Sequence, residues 1–428
     1  MTLSSRATLA AQPSNSSLIS EVLQDPWHAQ DNPPGYISLG LAENSLMHDK
    51  LRQHVQERFA LPENACTYGD GFTGSRRLKT AISRLLNQYL DPVTPLDAEH
   101  MLVTNGCSSA LEQLAWALAN PGEGFLLGRP YYTRLNMDPS LRAGAKVIPV
   151  DFGDANPFGS IDAYEQAVSK AEASGQKIAG LLLCNPHNPL GRCYPKETLI
   201  GLLRLCQRHR IHLISDEIYA LSVWSNETGE NPAGAPFESC LSLATNDIID
   251  PSLVHVVWGM SKDFGANGFR VGAIISPYNP ALRASLLQGA IYSSISSVSD
   301  HIACNLLEDK AWVDAYLLEN RRRLAEHYRI VTHWAAEHGI EFEGGVNAGF
   351  FLWLNFGDAY RARHELQVTT NVEAEITRAF LKAKVFVAPG SSFGAEKPGW
   401  FRLVFSMAKP ALEEGLNRIL WALDEQLE

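Results

Sequence analysis

Residues Ile178-Ala-Gly-Leu-Leu-Leu-Cys184 run directly into Asn185-Pro-His-Asn-Pro-Leu-Gly191. An uncharged run followed at once by two Asn-Pro steps reads as a strand buried on both faces that ends in a rigid, extended loop. A half-exposed strand would alternate apolar and polar residues instead. The pattern repeats outward in both directions. Met101-Leu-Val-Thr104, Gly124-Phe-Leu-Leu-Gly128, Ala145-Lys-Val-Ile-Pro-Val150, Ile211-His-Leu-Ile-Ser215, Leu253-Val-His-Val-Val-Trp258 and Val271-Gly-Ala-Ile-Ile275 are further strand-like runs. After the first of them, Leu111, Leu114, Ala115 and Leu118 recur at helical spacing, which predicts a helix over 108–120 stopped by Pro121-Gly122. Strands alternating with helices predict an α/β core with a mostly parallel sheet.

The C-terminal third differs. A charged helical run leads through Asn320-Arg-Arg-Arg323 to His338, and the apolar stretch Gly345–Leu354 follows. This predicts a smaller α+β unit formed by 311–428 together with 35–55, beside a large domain at 56–310. Residues 1–34 read as an N-terminal arm that is rich in Ser and Ala and lacks the features of a secretory signal.

Composition narrows the possible functions. The 428 residues carry 36 Lys plus Arg and 47 Asp plus Glu, a net charge of −11, with 45% hydrophobic residues. No basic excess is available to neutralise phosphates, which argues against a nucleic-acid partner. No stretch approaches the apolar length of a membrane span. Seven cysteines without a C-x-x-C pair fit reduced thiols in the cytoplasm and neither a disulfide framework nor a metal site. His209 and His212 are expected at a solvated helix end.

Ligands of open α/β sheets bind at the carboxyl ends of the strands. Four such ends carry unusual residues. Asn105-Gly-Cys-Ser-Ser109 combines small residues with a helix N-terminus, which favours an anion; taken alone it is a tight turn. Asn185–Gly191 places amide side chains at the edge. Ser215-Asp-Glu-Ile-Tyr219 puts a carboxylate where burial is costly without a partner, such as a cationic ring nitrogen, although Asp216 reads equally as a helix N-cap. Ser261-Lys-Asp-Phe-Gly-Ala-Asn-Gly-Phe-Arg-Val-Gly272 offers an amine suited to Schiff-base chemistry and a cation for a phosphate. In isolation Lys262 is a surface lysine. Together the four ends supply a phosphate cradle, a carboxylate for a pyridinium, a phenol and an amide for a phenolate, and an amine for an aldehyde. These are the requirements of pyridoxal 5'-phosphate.

From about Gly35 to Met407 the chain resembles fold-type I class I aminotransferases and, among them, the 1-aminocyclopropane-1-carboxylate synthases. The resemblance rests on Gly40-Leu-Ala-Glu-Asn44, Pro130-Tyr-Tyr132, Asn188-Pro-Leu-Gly191, Asp216-Glu-Ile-Tyr219, Ser261-Lys-Asp263 with Gly268-Phe-Arg-Val-Gly272, and Pro389-Gly-Ser-Ser-Phe393 with Gly399-Trp-Phe-Arg402. It implies a large domain with a mostly parallel seven-stranded sheet, a smaller α+β domain and a homodimer with a shared active site. Lys262 resembles the Schiff-base lysine and base at Cα, and Asp216 the partner of the pyridinium nitrogen. Asn188 and Tyr219 resemble the pair on the phenolic oxygen, and Tyr132 the ring-stacking aromatic. Cys107, Ser108, Ser261 and Arg270 are implied around the phosphate. Arg402 is implied as the clamp on the substrate carboxylate, with Glu43 near the substrate's reactive end and Asn188 also near the substrate.

Three departures stand out. Gly259 replaces a phosphate-binding Ser, Asn267 replaces a Pro, and Phe72 stands where the synthases carry a Tyr reaching across the dimer. Tyr68 is a substitute for the last. The resemblance implies an α-amino-acid substrate, S-adenosylmethionine, with loss of methylthioadenosine by elimination, cyclisation or γ-replacement. An aminotransferase is the alternative, and a non-catalytic binding protein on the same fold the third reading.

Overall fold

The computed structural model describes residues 3–11, 16–229 and 233–425. Two compact units divide the chain: 1–42 with 326–343 and 350–428, and 43–325 with 344–349. Segments 43–55 and 311–325, which the sequence reading grouped with the smaller unit, lie in the larger one. Helix His48–Arg58 packs on helix Ser297–Glu308 there, and the long helix Lys310–Glu337 contributes its first half.

The described residues form thirteen strands. In chain order they are β1 (Ile37–Ser38), β2 (Met101–Asn105), β3 (Gly124–Gly128), β4 (Lys146–Val150), β5 (Ile178–Cys184), β6 (His212–Asp216), β7 (Val254–Gly259), β8 (Val271–Ile275), β9 (Glu341–Phe342), β10 (Phe351–Asn355), β11 (Val385–Phe386), β12 (Ala388–Pro389) and β13 (Trp400–Val404).

The larger unit is built on a seven-stranded sheet in the order β2-β8-β7-β6-β5-β3-β4. Only β8 runs against the rest, pairing antiparallel with both β2 and β7. Leu181, Leu182, Leu213, Ile214, Val256, Val257, Ala273 and Ile274 are almost fully buried, as the unbroken apolar runs require. The polarity of this sheet positions the site. The carboxyl ends of β2, β3, β5, β6 and β7 share one edge, and the reversed β8 begins at that edge. Arg270 therefore stands beside the ends of β2 and β7 through the pairs Asn105–Val271 and Gly259–Gly272.

At the opposite edge one of the two histidines, His212, differs from expectation. His209 ends helix Lys196–His209 but faces the Glu165 carboxylate at 3.1 Å. His212 opens β6 and lies 3.0 Å from His255 Nε2, whose other nitrogen meets Ser276 Oγ at 2.9 Å. His209 thus closes a helix and keeps part of its surface exposed, whereas His212 lies on a strand against His255. Among the described residues no His, Cys, Asp and Glu cluster suits a metal ion.

The smaller unit holds an antiparallel sheet, β12-β13-β10-β9, and a parallel pair of β1 with β11. The opening segment thus joins a two-residue ladder that its sequence did not announce. Phe356, Phe380 and Phe401 pack with ring centroids 5.3–5.7 Å apart and form the unit's core. Of the expected arm, 1–2 and 12–15 lie outside the described residues; the rest holds helices Ser5–Ala10 and Ser16–Gln24, followed by turns and isolated bridges over 25–34. Among the described residues no helix is long and apolar enough to cross a membrane.

Candidate active site

The turn after β2 is shaped by absent side chains. Gly106 has φ +80°, a conformation open to glycine, and a Cβ there would lie 2.3 Å from Arg270 Nη2. A Cβ on Gly272 would lie 2.5 Å from the Gly106 carbonyl carbon. The bare backbone lets the guanidinium lie across the start of helix Cys107–Leu118, where the first amides have no intrahelical acceptor. Arg270 itself has φ +55°, and Nη1 donates to the Asn267 carbonyl at 2.9 Å. Gly259 answers to the same packing: a Cβ would lie 2.7 Å from Cys107 Sγ and from the Val271 carbonyl oxygen. Cys107 and the Val271 backbone together leave no room for a side chain at 259.

Asp216 ends β6 and is buried. Its Oδ1 accepts only a long bond from the Ile218 amide, 3.3 Å. Burial pushes this carboxyl up to about 7, and the charge of Asp138 adds to the rise while the Ile218 amide and Lys262 oppose it. Glu217, its neighbour, faces the other way into a complete set of donors: Ser239 Oγ at 2.6 Å, the Cys240 amide at 2.8 Å and Ser215 Oγ at 3.0 Å. Glu217 is thus satisfied by its own donors, whereas Lys262 is among the charges that act on Asp216. Asn188 Nδ2 donates to Tyr219 Oη at 3.2 Å, both side chains being buried.

Lys262 sits on the single-turn helix Met260–Asp263 after β7 and is half-buried, with Ser261 buried beside it. Asp263 anchors that turn: Ser222 Oγ donates to it at 2.7 Å, the Leu221 amide at 3.2 Å and Trp258 Nε1 at 3.3 Å. The charges of Asp216, Arg270 and Lys262 all act on the buried Cys107 thiol. Burial raises that thiol far out of the reactive range. Tyr132 is half-buried and caps helix Thr133–Leu141.

Asp138, on the same helix, was missed in the sequence. It is buried, pairs with Arg134 at 2.6 Å and is hydrogen-bonded to Ser108. Burial raises its carboxyl above the usual range. An Asp four residues after an Arg reads as a surface ion pair, and only packing against Ser108 reveals the burial.

Glu43 is exposed at the start of the larger unit, and Asn267 Nδ2 donates to its Oε1 at 3.4 Å. Tyr68 stands apart. It is 80% exposed, its ring meets Phe72 edge-on at 5.2 Å, and it lines a cleft of about 210 Å³ with Asp70, Ser75, Arg77 and Asp300. In the smaller unit Arg402 is 3% exposed; Nη2 donates to the Gly40 carbonyl at 2.6 Å and the guanidinium lies 4.7 Å from the Phe393 ring centroid.

The sequence profile of class I and II aminotransferases matches residues 36–419. The chain belongs to that family. It is 33% identical to 1-aminocyclopropane-1-carboxylate synthase 2 of Arabidopsis thaliana, over 92% of this chain and 80% of the relative. It is 32% identical to a Mus musculus protein named "Probable inactive 1-aminocyclopropane-1-carboxylate synthase-like protein 2", over 94% of this chain and 68% of that one. Its fold is that of Thermus thermophilus aspartate aminotransferase, with a TM-score of 0.76, 19% identity and coverage of 99% and 100% of the two chains. The chain is therefore a member of a pyridoxal-phosphate-dependent, 1-aminocyclopropane-1-carboxylate-synthase-like family. The residues fit that cofactor. A buried carboxylate raised by desolvation suits a cationic ring nitrogen, and the side-chain-free turn at Gly106 and Gly272 with Arg270 suits a phosphate.

Proposed function

We propose that this protein is a pyridoxal-phosphate enzyme acting on S-adenosylmethionine, with loss of methylthioadenosine through elimination, cyclisation or γ-replacement at Cγ. The observation that carries the reading is the hydrogen bond that ties Glu43 to Asn267, five residues after Lys262. It ties that carboxylate to the stretch that follows Lys262, and a negative charge there would favour a sulfonium substrate. Pyridoxal phosphate, when bound, supplies an aldehyde for amines and a ring that withdraws electrons from the substrate Cα. Lys262 Nζ would hold the aldehyde and would serve as the base at Cα. Asp216 keeps a proton on the ring nitrogen. Asn188 and Tyr219 hold the phenolic oxygen, and Tyr132 covers the ring. The amides of Cys107 and Ser108, Ser261 and Arg270 hold the phosphate. Arg402 grips the substrate carboxylate through a planar fork.

An aminotransferase is the second reading, favoured by Phe72, which lacks the hydroxyl of the synthases. A non-catalytic binding protein is the third, and a Lys262→Ala variant that keeps full function would establish it. The exposed apolar side chains Tyr68, Leu287, Ile291 and Tyr292 support a homodimer in which Tyr68 serves the partner's site. Free cysteines at all seven positions support a reducing, cytoplasmic setting. The test incubates the cofactor-loaded protein with S-adenosylmethionine and, separately, with amino-acid and keto-acid pairs. Released methylthioadenosine supports the proposal. Keto-acid exchange without it selects the aminotransferase, and no turnover in either assay overturns both.

A further inference from the structure

Three stretches far apart in sequence meet beside Lys262, all within the larger unit. They are Glu43 to His48, the turn Asp263 to Asn267, and the first half of helix Lys310–Glu337. Asn44 and Asn320 are 1% and 0% exposed, and Asn44 Nδ2 donates to Asn320 Oδ1 at 2.9 Å. Asn320 Nδ2 makes a longer bond, 3.5 Å, to the Asp263 carbonyl. His48 Nε2 lies 3.0 Å from the Gly265 carbonyl, so Nε2 carries the proton, because a carbonyl only accepts. Gly265 has φ +60°, and a Cβ there would lie 2.2 Å from the Asn44 carbonyl oxygen. Tyr316 Oη donates to the Phe264 carbonyl at 2.8 Å, and Arg323 Nη1 to the Leu46 carbonyl at 2.6 Å. The Asn267 bond to Glu43 closes the outer end.

A buried amide pair tolerates one register, since any slip leaves polar groups without partners in a site closed to water. Apolar side chains would fill the same space without fixing that register. We infer that Asn44, His48 and Asn320 are positioning residues that brace the Lys262 turn against the Glu43 segment, so that the reacting amine and the carboxylate facing the substrate move as one body. The inference rests on the roles proposed above for Lys262 and Glu43. Gln at position 48 reaches the Gly265 carbonyl with its amide N–H, whereas Ala does not.

The test uses full-length Asn44→Ala, His48→Ala and His48→Gln proteins. Visible circular dichroism at equal pyridoxal-phosphate occupancy reports how the bound ring is oriented, and a general loss of stability leaves it unmoved. Deuterium exchange of the 264–267 amides is followed in cofactor-free protein. Both Ala variants are expected to lose much of the visible signal and to exchange about tenfold faster at these amides, and His48→Gln to restore both. Wild-type signal and exchange in the Ala variants overturn the brace, as does a His48→Gln protein that behaves like His48→Ala. If Asn44→Ala does not fold, the His48 pair decides alone. If the wild type takes up no cofactor, the functional reading falls, and exchange in the cofactor-free proteins decides the brace.

Discussion

Asp216→Asn is expected to stabilise the cofactor-free protein at alkaline pH while weakening its hold on pyridoxal phosphate. Burial pushes the Asp216 carboxyl up to about 7, against about 3.9 in an unfolded chain. Below about pH 4 the group is neutral in both states, and the substitution is silent. As pH rises from there the unfolded chain ionises first, so the wild type loses stability, and the loss is complete above about 7. Roughly three pH units at about 1.4 kcal/mol each give an upper limit of about 4 kcal/mol. Asn keeps an oxygen for the Ile218 amide and removes the charge. Urea unfolding of both cofactor-free proteins near pH 5 and near pH 8 measures the difference, which should be at least about 1 kcal/mol larger at the higher pH. An Asn variant less stable than wild type near pH 8, or a difference that does not change with pH, refutes the reasoning.

Gly106→Ala must adopt a positive φ and push Arg270 aside, so it should cost about 1–3 kcal/mol; denaturant unfolding and a phosphate-binding titration check stability and the cradle together. Gly259→Ser should destabilise by about 1–3 kcal/mol through overpacking against Cys107. Cys107→Ala in the same chain should recover part of that loss, which a double-mutant cycle reads directly. Arg402→Lys loses the two-pronged fork and should raise KM for the α-amino-acid substrate by about tenfold or more with a smaller change in kcat, measured by steady-state kinetics.

The strands were legible because each is an unbroken apolar run bounded by polar or small residues. β3, β5 and β8 have their read boundaries. β6 was read one residue early, at Ile211 to Ser215, because the final ladder pair is made by Asp216 with Cys184. A charged residue at the end of a run gives no sign that its backbone still belongs to the sheet. Burial of Arg402 was legible from its flanking aromatics. Asp138, Asn44 and Asn320 were not: Asn44 and Asn320 meet partners on other elements, and Asp138 is buried by packing against another helix although its local spacing is that of a surface ion pair. His212 was misread for the same reason.

The sequence by itself determined the strands of the large sheet, the sheet class and the residue chemistry at each strand end, since periodicity and turn residues are local properties. Tertiary structure alone decided that β8 runs backwards and so carries Arg270 to the turn at Gly106. It also decided that Asp216 is buried while Glu217 is satisfied by Ser239, Cys240 and Ser215, and that Asn44 closes on Asn320. Each of these depends on a partner tens to hundreds of residues away, where only the folded chain brings donor to acceptor and volume to volume.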